Sequence, residues 1–192
     1  MSAAAPSAMA PRIGTLPRGP TDTLVDVAGT AVGHVTLDRG AVQTGVTVVV
    51  PAPGNLFLHK LPAAVAVING FGKSAGLMQI DELGTLESPI ALVGTLAVGT
   101  AMTALWRDAL RDTPQMGRDL PTLNPVVLEC NDGWLNDAQQ FALGVDDVSE
   151  AVRRAREAAD AVVVVAPQQG SVGAGRGMTA YGVKGGIGSA SR

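Results

Sequence analysis

Apolar and polar positions along the chain predict several strands separated by helices. Residues 32–37 and 45–50 are strand-like, the second of them a short run typical of a buried strand, and residues 63–69 form a third candidate. Residues 124–129 predict a fourth strand that leads into the polar sequence CNDGW. The continuous apolar run 161–167 is typical of a strand covered on both faces.

Apolar residues recur at helical spacing in two longer segments, residues 95–111 and 147–159. Asp147 and Glu150 have the spacing of a capping box and predict the start of the second helix. Residues 74–83 are compatible with a short helix or a strand. Since helices and strands are intermixed, the predicted class is α/β or α+β.

Composition narrows the class of protein further. The chain is 46% apolar and only 16% charged, which suits a sizeable core and excludes a disordered chain. The net charge of −3 gives no basic face for nucleic acid, and no apolar run reaches the ~20 residues of a membrane span. Cys130 is the only cysteine, which favours a reducing compartment, so we expect a cytoplasmic protein. Residues 1–20 are unpatterned and predict a flexible N-terminal arm.

Three possible ligand-binding motifs lack the residue spacing that binding would require. Gly72-Lys73-Ser74 ends like a phosphate-binding loop, but the required glycine five positions before Gly72 is replaced by Val67. The glycines of residues 173–177 lack the offset of a dinucleotide fingerprint. His34 and His59 have no partner at metal-ligand spacing. We therefore expect no metal and no cofactor.

The sequence LECNDGWLND holds the densest group of polar residues, directly after a predicted strand. Polar groups at a strand end are typical of a binding site, and carboxylates there could hold an ammonium group. The alternative is a hydrogen-bonded turn followed by a helix cap at Asn136 or Asp137. The group comprises Glu129, Asn131, Asp132, Asn136 and Asp137.

The glycine-rich sequence VGAGRGMTAYGVKGGIGSAS presents a second candidate. Its backbone N–H groups could line a pocket and stabilise an oxyanion, or the glycines could simply form a system of β-turns. Cys130 is a poor candidate for a nucleophile because no cationic residue adjoins it in sequence to lower its pKa. Residue types alone identify no nucleophile–base pair.

Four stretches together resemble one family. They are VDVAGTAVGHVTL with TGVTVVVP, then LPAAVAVINGFGKSAGLMQIDELGTLESPIAL, then NPVVLECNDGWLND, and finally GSVGAGRGMTAYGVKGGIGSASR. They look like the DmpA/BapA family of self-processing aminopeptidases, the L-aminopeptidase D-Ala-esterase/amidases and β-peptidyl aminopeptidases. The resemblance implies a four-layer α-β-β-α sandwich, similar to N-terminal-nucleophile hydrolases with altered strand connectivity.

The family resemblance also implies how the protein matures. Members cut themselves once, which frees a serine or threonine nucleophile at the new N-terminus of a small (β) subunit. That position, by the family pattern, lies beyond residue 192, so residues 21–192 look like the large-subunit part of one domain that a downstream segment completes. The implied partners are this small subunit, a peptide or amide substrate and further αβ units of a homo-oligomer, with neither nucleic acid nor membrane. A related amide such as a β-peptide, pantetheine or oligoamide is an alternative substrate, and a non-catalytic homologue is another alternative.

Site residues follow from the same resemblance. Trp134 stands where many members carry a catalytic tyrosine, so it either packs the pocket wall or marks a different substrate preference. Gly185 and Gly186 would supply pocket or oxyanion backbone groups, and acidic side chains around an amine pocket would include Asp81, Glu82 and Glu87. The residues expected to bind substrate are Glu129, Asn131, Asp132, Gly133, Gly70 and Gly72.

Overall fold

The structure is a computed structural model that describes residues 14–192. Residues 1–13, most of the predicted N-terminal arm, lie outside the described residues. The described part contains no helix long and apolar enough to cross a membrane. Helices and strands are intermixed, which confirms the predicted mixed α/β class.

A four-stranded sheet forms the centre of the molecule. Strands β1 (Ala31–Arg39) and β2 (Val42–Val50) form an antiparallel hairpin whose turn contains Gly40 at positive φ. Strand β5 (Ile90–Gly94) pairs antiparallel with β2 and parallel with β6 (Val126–Cys130). The spatial order is β1-β2-β5-β6. Because β5 and β6 are parallel, their carboxyl ends lie at the same edge of the sheet.

Three helices and two small strand pairs complete the described architecture. The helices are α1 (Leu77–Leu83), α2 (Val98–Asp112) and α3 (Val145–Ala159). The small pairs are β3 (Leu61–Pro62) with β4 (Thr85–Leu86), and β7 (Thr179–Ala180) with β8 (Val183–Lys184). A 3-10 turn, Thr95–Ala97, joins β5 to α2.

The main core lies between the sheet and helices α2 and α3. Valines of the strands alternate inward and meet alanines of the helices, so small side chains fill the core in place of aromatics. Gly33 permits the closest approach, because a Cβ atom there would collide with the backbone of α3 at Ala151 and Ala155. The buried members include Val46, Val48, Ala91, Val93, Ala101, Ala104, Val127, Ala151 and Ala155.

The glycine-rich segment covers part of the sheet face opposite the helices. Its 3-10 turn, Gly173–Gly175, begins with Gly173 at φ +51°. The Gly173 N–H donates to Thr36 Oγ1 at 2.8 Å, and the Ala174 N–H donates to Thr47 Oγ1 at 3.2 Å. The same turn closes over His34, whose Nδ1 lies 2.9 Å from Thr47 Oγ1. The glycines here serve close backbone packing on the sheet.

Both long predicted helices are confirmed, but the predicted cap of the second is wrong. Helix α3 begins at Val145, and the Gly144 N–H donates to Asp147 Oδ2 at 2.8 Å. Asp147 is thus the third helical residue, and its side chain accepts the N–H of the N-cap residue Gly144. Glu150 instead forms ion pairs with Arg153 and Arg154. The segment 74–83 contains helix α1.

Two predicted strands are absent from the described residues. In the segment 63–69, Ala63 and Val65 are half-buried against α1, but pairing stops at Pro62. The valines of the segment 161–167 are exposed, with Val162 fully accessible and Val164 62% accessible. An apolar run forms a strand only beside a strand partner, and neither run lies in a strand of the described chain, where the first makes a backbone hydrogen bond from the Ala63 N–H to Gly84 O at 2.9 Å.

Candidate active site

Three segments distant in sequence meet where β5 and β6 end. Gly94 and Cys130 are register partners at these ends. The loop of residues 69–73 approaches from one side, and the turn of residues 131–137 follows β6 directly. This edge therefore gathers most of the polar residues that the sequence singled out.

Glu129 connects two of these segments through its carboxylate. Its Oε1 accepts a hydrogen bond from the Lys73 backbone N–H at 2.9 Å, and its Oε2 accepts one from Thr95 Oγ1. The Lys73 ammonium group does not pair with this carboxylate but donates to Phe71 O at 2.8 Å and lies 3.6 Å from the Phe71 ring centre. A carboxylate has about four acceptor positions, so Glu129 keeps capacity for a further donor.

The loop that contacts Glu129 has room for a Cβ atom at both of its glycines. A Cβ atom on Gly72 would lie 3.4 Å from Glu129 Oε1, whereas one on Gly70 would meet no atom within 4 Å. Asn69 Oδ1 accepts the Phe71 N–H at 2.9 Å and fixes the turn. Both glycines therefore leave open space beside the Glu129 carboxylate.

Asp132 is buried, with 3% of its surface accessible. Its Oδ2 accepts hydrogen bonds from Thr44 Oγ1 at 2.6 Å and from Asn136 Nδ2 at 3.2 Å. Asn136 Oδ1 in turn accepts the Gln43 N–H at 2.9 Å. The carboxylate thus fastens the turn of residues 131–137 to strand β2. Gly94 makes room for it, because a Cβ atom there would lie 2.5 Å from Asp132 Oδ2.

The remaining residues of this turn face outward. Asn131 Oδ1 accepts the Gly133 N–H at 2.9 Å, which forms a local turn of the kind that the sequence offered as the alternative to a binding site. Asn131 and Gly133 are exposed, and Trp134 is 84% accessible. The structure therefore displays an unburied indole at this edge of the molecule.

An open cavity of about 300 Å³ brings the two predicted site regions together. Its lining includes Leu128, Glu129 and Cys130 of β6 together with Gly185 and Gly186 of the glycine-rich segment. The Gly185 N–H already donates to Met178 O at 2.8 Å, so that amide is engaged within the segment.

Lys184 holds the glycine-rich wall of this cavity in shape. Its Nζ donates to Gly175 O at 2.8 Å and to Gly185 O at 2.6 Å. Burial, with a smaller contribution from the positive charge of Arg176, lowers the pKa of Lys184 below its usual range. Sequence reasoning missed this lysine and Thr95, because each finds its partners only through the folded chain.

Other candidates lie apart from this carboxylate. Asp81 and Glu82 are exposed on α1. Glu87 is buried and lines a different cavity of about 410 Å³, where it pairs with Lys60 and accepts the Asn124 N–H at 2.7 Å. Among residues 14–192, no group of three or more His, Cys, Asp or Glu side chains is placed to hold a metal ion.

A polar cluster at the carboxyl ends of parallel strands is where α/β proteins commonly bind their ligands. The chain belongs to peptidase family S58, whose family model matches residues 22–192. This finding confirms the family resemblance seen in the sequence.

Known relatives agree with this assignment. The chain is 37% identical over 183 residues to the β-peptidyl aminopeptidase BapA of Sphingosinicella xenopeptidilytica, covering 91% of this chain and 43% of the relative. The PH0078 protein from Pyrococcus horikoshii OT3 has a TM-score of 0.83 at 40% identity, covering 90% of this chain and 49% of that one. The L-aminopeptidase D-Ala-esterase/amidase from Ochrobactrum anthropi has a TM-score of 0.76 at 29% identity, covering 90% and 48%.

The solved structure from Ochrobactrum anthropi is described as a prototype for the serine aminopeptidases and a new variant of the Ntn hydrolase fold. Its likeness to this chain agrees with the fold class predicted from the sequence. The chain spans less than half the length of the curated relative and about half of the two solved structures.

Proposed function

We propose that this chain is the large-subunit portion of a self-processing aminopeptidase or amidase that removes N-terminal residues from peptides, amides or esters. The observation that carries the proposal is the Glu129 carboxylate, which lies beside a cavity and has no cationic partner among the described residues. Membership of a peptidase family and the names of the relatives support the reaction class.

A downstream segment of the same precursor completes the domain in this proposal. The relatives are about twice as long as the matched region, which leaves room for a small subunit. The apolar runs 63–69 and 161–167 support it, because Val67, Ile68 and the valines 162–165 are exposed and neither run lies in a strand of the described chain. Paired with strands of that segment, they would supply the second sheet of a four-layer sandwich.

Glu129 recognises the substrate's free amino group in this mechanism. An ammonium group donates to the acceptor positions that Lys73 and Thr95 leave open, and the half-buried setting strengthens the attraction. Asp132 holds the turn rather than the ammonium group, because it is buried against Thr44 and Asn136. The geometry thus favours one of the two predicted carboxylates.

The other predicted site residues surround this carboxylate. Gly70 and Gly72 leave space on one side, and Asn131 and Gly133 expose their polar groups beside Trp134. The indole N–H donates a hydrogen bond but cannot relay a proton through an oxygen, so Trp134 acts as a wall or as a donor to the scissile carbonyl. Gly185 and Gly186 form the cavity wall next to the acyl part of the substrate.

The chemical step uses a nucleophile outside these 192 residues. A serine or threonine freed by self-cleavage attacks the scissile carbonyl, and its own α-amine accepts the hydroxyl proton. The α-amine then passes this proton to the leaving amine or alcohol as its bond to the carbonyl carbon breaks, and water hydrolyses the resulting acyl-enzyme, so the reaction as proposed uses neither metal nor cofactor. We place the enzyme in the cytoplasm, in keeping with the single cysteine of this chain, Cys130, and we propose that it is an oligomer of αβ units.

The relatives named as β-peptidyl aminopeptidases favour β-peptides as a second candidate substrate. The test is to express the complete gene product, follow its cleavage by intact mass, and assay amino-acid amides, β-dipeptides and pantetheine. Cleavage before a serine or threonine and turnover of a free-amine amide are expected. An uncut product that hydrolyses none of the three substrates would instead indicate a non-catalytic homologue.

A further inference from the structure

The segment 189–192 is hydrogen-bonded to residues near the other end of the described chain. Ser191 Oγ donates to Asp26 Oδ2 and accepts the Gly19 N–H at 3.2 Å. Ser189 Oγ accepts the Leu24 N–H at 2.7 Å, and the Ser191 N–H donates to Asp22 Oδ1 at 3.3 Å. Each of these contacts joins residues more than 160 positions apart.

The Asp26 carboxylate accepts hydrogen bonds from several residues at this contact. It also accepts the Thr21 N–H at 2.9 Å, the Thr21 hydroxyl at 2.7 Å and the Thr23 N–H at 3.3 Å. Gly19 is required at its position, because a Cβ atom there would collide with Asp26 Oδ2 and approach Ser191 Oγ to 2.5 Å. Residues 19–26 therefore form a receptor for the Ser191 hydroxyl, in which three hydrogen bonds besides the one from Ser191 hold the Asp26 carboxylate.

The segment held by this receptor is continuous with the wall of the candidate active site. Gly185 and Gly186 line the cavity beside Glu129, and Ile187 exchanges two backbone hydrogen bonds with Gly170, at 2.7 and 2.8 Å. Ser191 follows Ile187 by four residues, a reach of about 14 Å at most. The contact at Ser191 is thus only a few residues away from the cavity wall.

We propose that residues 19–26 are a positioning clamp. Through the contact between Asp26 and Ser191 they hold the segment 185–191, so that Gly185 and Gly186 keep their position in the cavity wall beside Glu129. This inference rests on the proposed function for its effect on catalysis. Asp26 touches neither substrate nor reacting atoms, and it acts through the wall alone. Loss of the clamp should lower kcat about tenfold by misplacing the wall, and should leave KM within about twofold because Glu129 is untouched.

The test is a double-mutant cycle in the complete gene product with Asp26→Ala, Ser191→Ala and both together. Each single change should lower kcat about tenfold, and the double should be no slower than the slower single, because both remove one interaction. Amide hydrogen exchange in residues 185–191 should accelerate in all three. The matched control is Asp112→Ala with Arg156→Ala, an ion pair of 2.6 Å between α2 and α3, which should change neither readout.

Multiplicative losses of kcat in the double variant, or unchanged exchange in residues 185–191, would overturn the clamp. If the wild-type protein hydrolyses no amide, the proposed function fails, and hydrogen exchange alone then decides whether Asp26 holds the segment. The Asp26→Ala variant and the control with Asp112→Ala and Arg156→Ala can also be compared at equal loss of thermal stability. If both then lose the same activity, the effect is one of stability, which would contradict a positioning role for Asp26.

Discussion

The Lys73 backbone N–H donates to Glu129 Oε1 at 2.9 Å, across 56 positions of sequence. The donor of this bond belongs to the glycine-rich turn that contains Gly72-Lys73-Ser74. The turn brings a backbone donor to a carboxylate, and its lysine side chain lies against Phe71 instead. A motif whose letters suggest a phosphate loop thus serves to hold an acid at the end of a strand.

Glu129→Gln should weaken recognition of the free amine selectively. The substitution removes a charge-assisted hydrogen bond of about 1.5–3 kcal/mol, so kcat/KM for amino-acid amides should fall about ten- to a hundredfold. The measurement is kcat/KM with free-amine and N-acetylated substrates on the matured protein. Glu82→Gln, on the exposed face of α1, is the control. An unchanged preference for the free amine would remove Glu129 from the amine site.

Asp132→Ala should lower stability more than it alters substrate preference. It leaves the buried partners Thr44 and Asn136 without an acceptor, a loss of about 1–3 kcal/mol in the free energy of unfolding. Denaturant unfolding measures it, and Asn131→Ala in the exposed part of the same turn is the control. If Asp132→Ala unfolds like wild type yet loses the preference for a free amine, the two carboxylates have exchanged roles.

Gly94→Ala and Gly99→Ala form a matched pair on either side of the Thr95–Ala97 turn. A Cβ atom on Gly94 would press on the Asp132 carboxylate at 2.5–2.8 Å, so we expect a loss of about 1–3 kcal/mol. A Cβ atom on Gly99, near the start of α2, meets nothing within 4 Å and should add up to about 1 kcal/mol. Thermal unfolding should therefore shift in opposite directions. Equal shifts would show that the Asp132 carboxylate moves aside freely.

The sequence predicted local structure well wherever the partner of a segment lies within the chain. Helices α2 and α3 follow from spacing alone, because their apolar stripes meet a sheet that the same chain supplies. The runs 63–69 and 161–167 were predicted from composition, but pairing requires a neighbour that composition does not provide. The cluster at residues 129–137 was likewise visible, whereas its division into exposed and buried acids depends on Thr44 and Thr95, which are remote in sequence.

The exposed valines should make residues 1–192 aggregate when expressed alone. Val162 and Val164 are 101% and 62% accessible, and unpaired apolar runs associate through their edges. The double change Val162→Ser with Val164→Ser should reduce aggregation of this fragment, measured by light scattering. In the complete gene product the same change should destabilise, because the valines become buried. A fragment that stays monomeric without the substitutions would contradict the proposed missing partner.

Acid should weaken the Asp26 contact in a defined window. The Ser191 hydroxyl, followed by smaller contributions from Thr21 and Thr23, lowers the pKa of Asp26 from 3.8 to about 2. A carboxyl whose folded pKa lies below its unfolded value adds stability that is complete above about pH 4 and lost as the pH falls towards 2. The difference in unfolding free energy between wild type and Asp26→Asn should therefore be constant from pH 7 to 5 and shrink below pH 4.

Glu150→Gln, on the exposed face of α3, is the control. It should show a similar acid dependence but leave hydrogen exchange in residues 185–191 unchanged, since the Glu150 contacts lie on another element. A difference that stays constant down to pH 2 would mean that Asp26 binds Ser191 equally well in its protonated form.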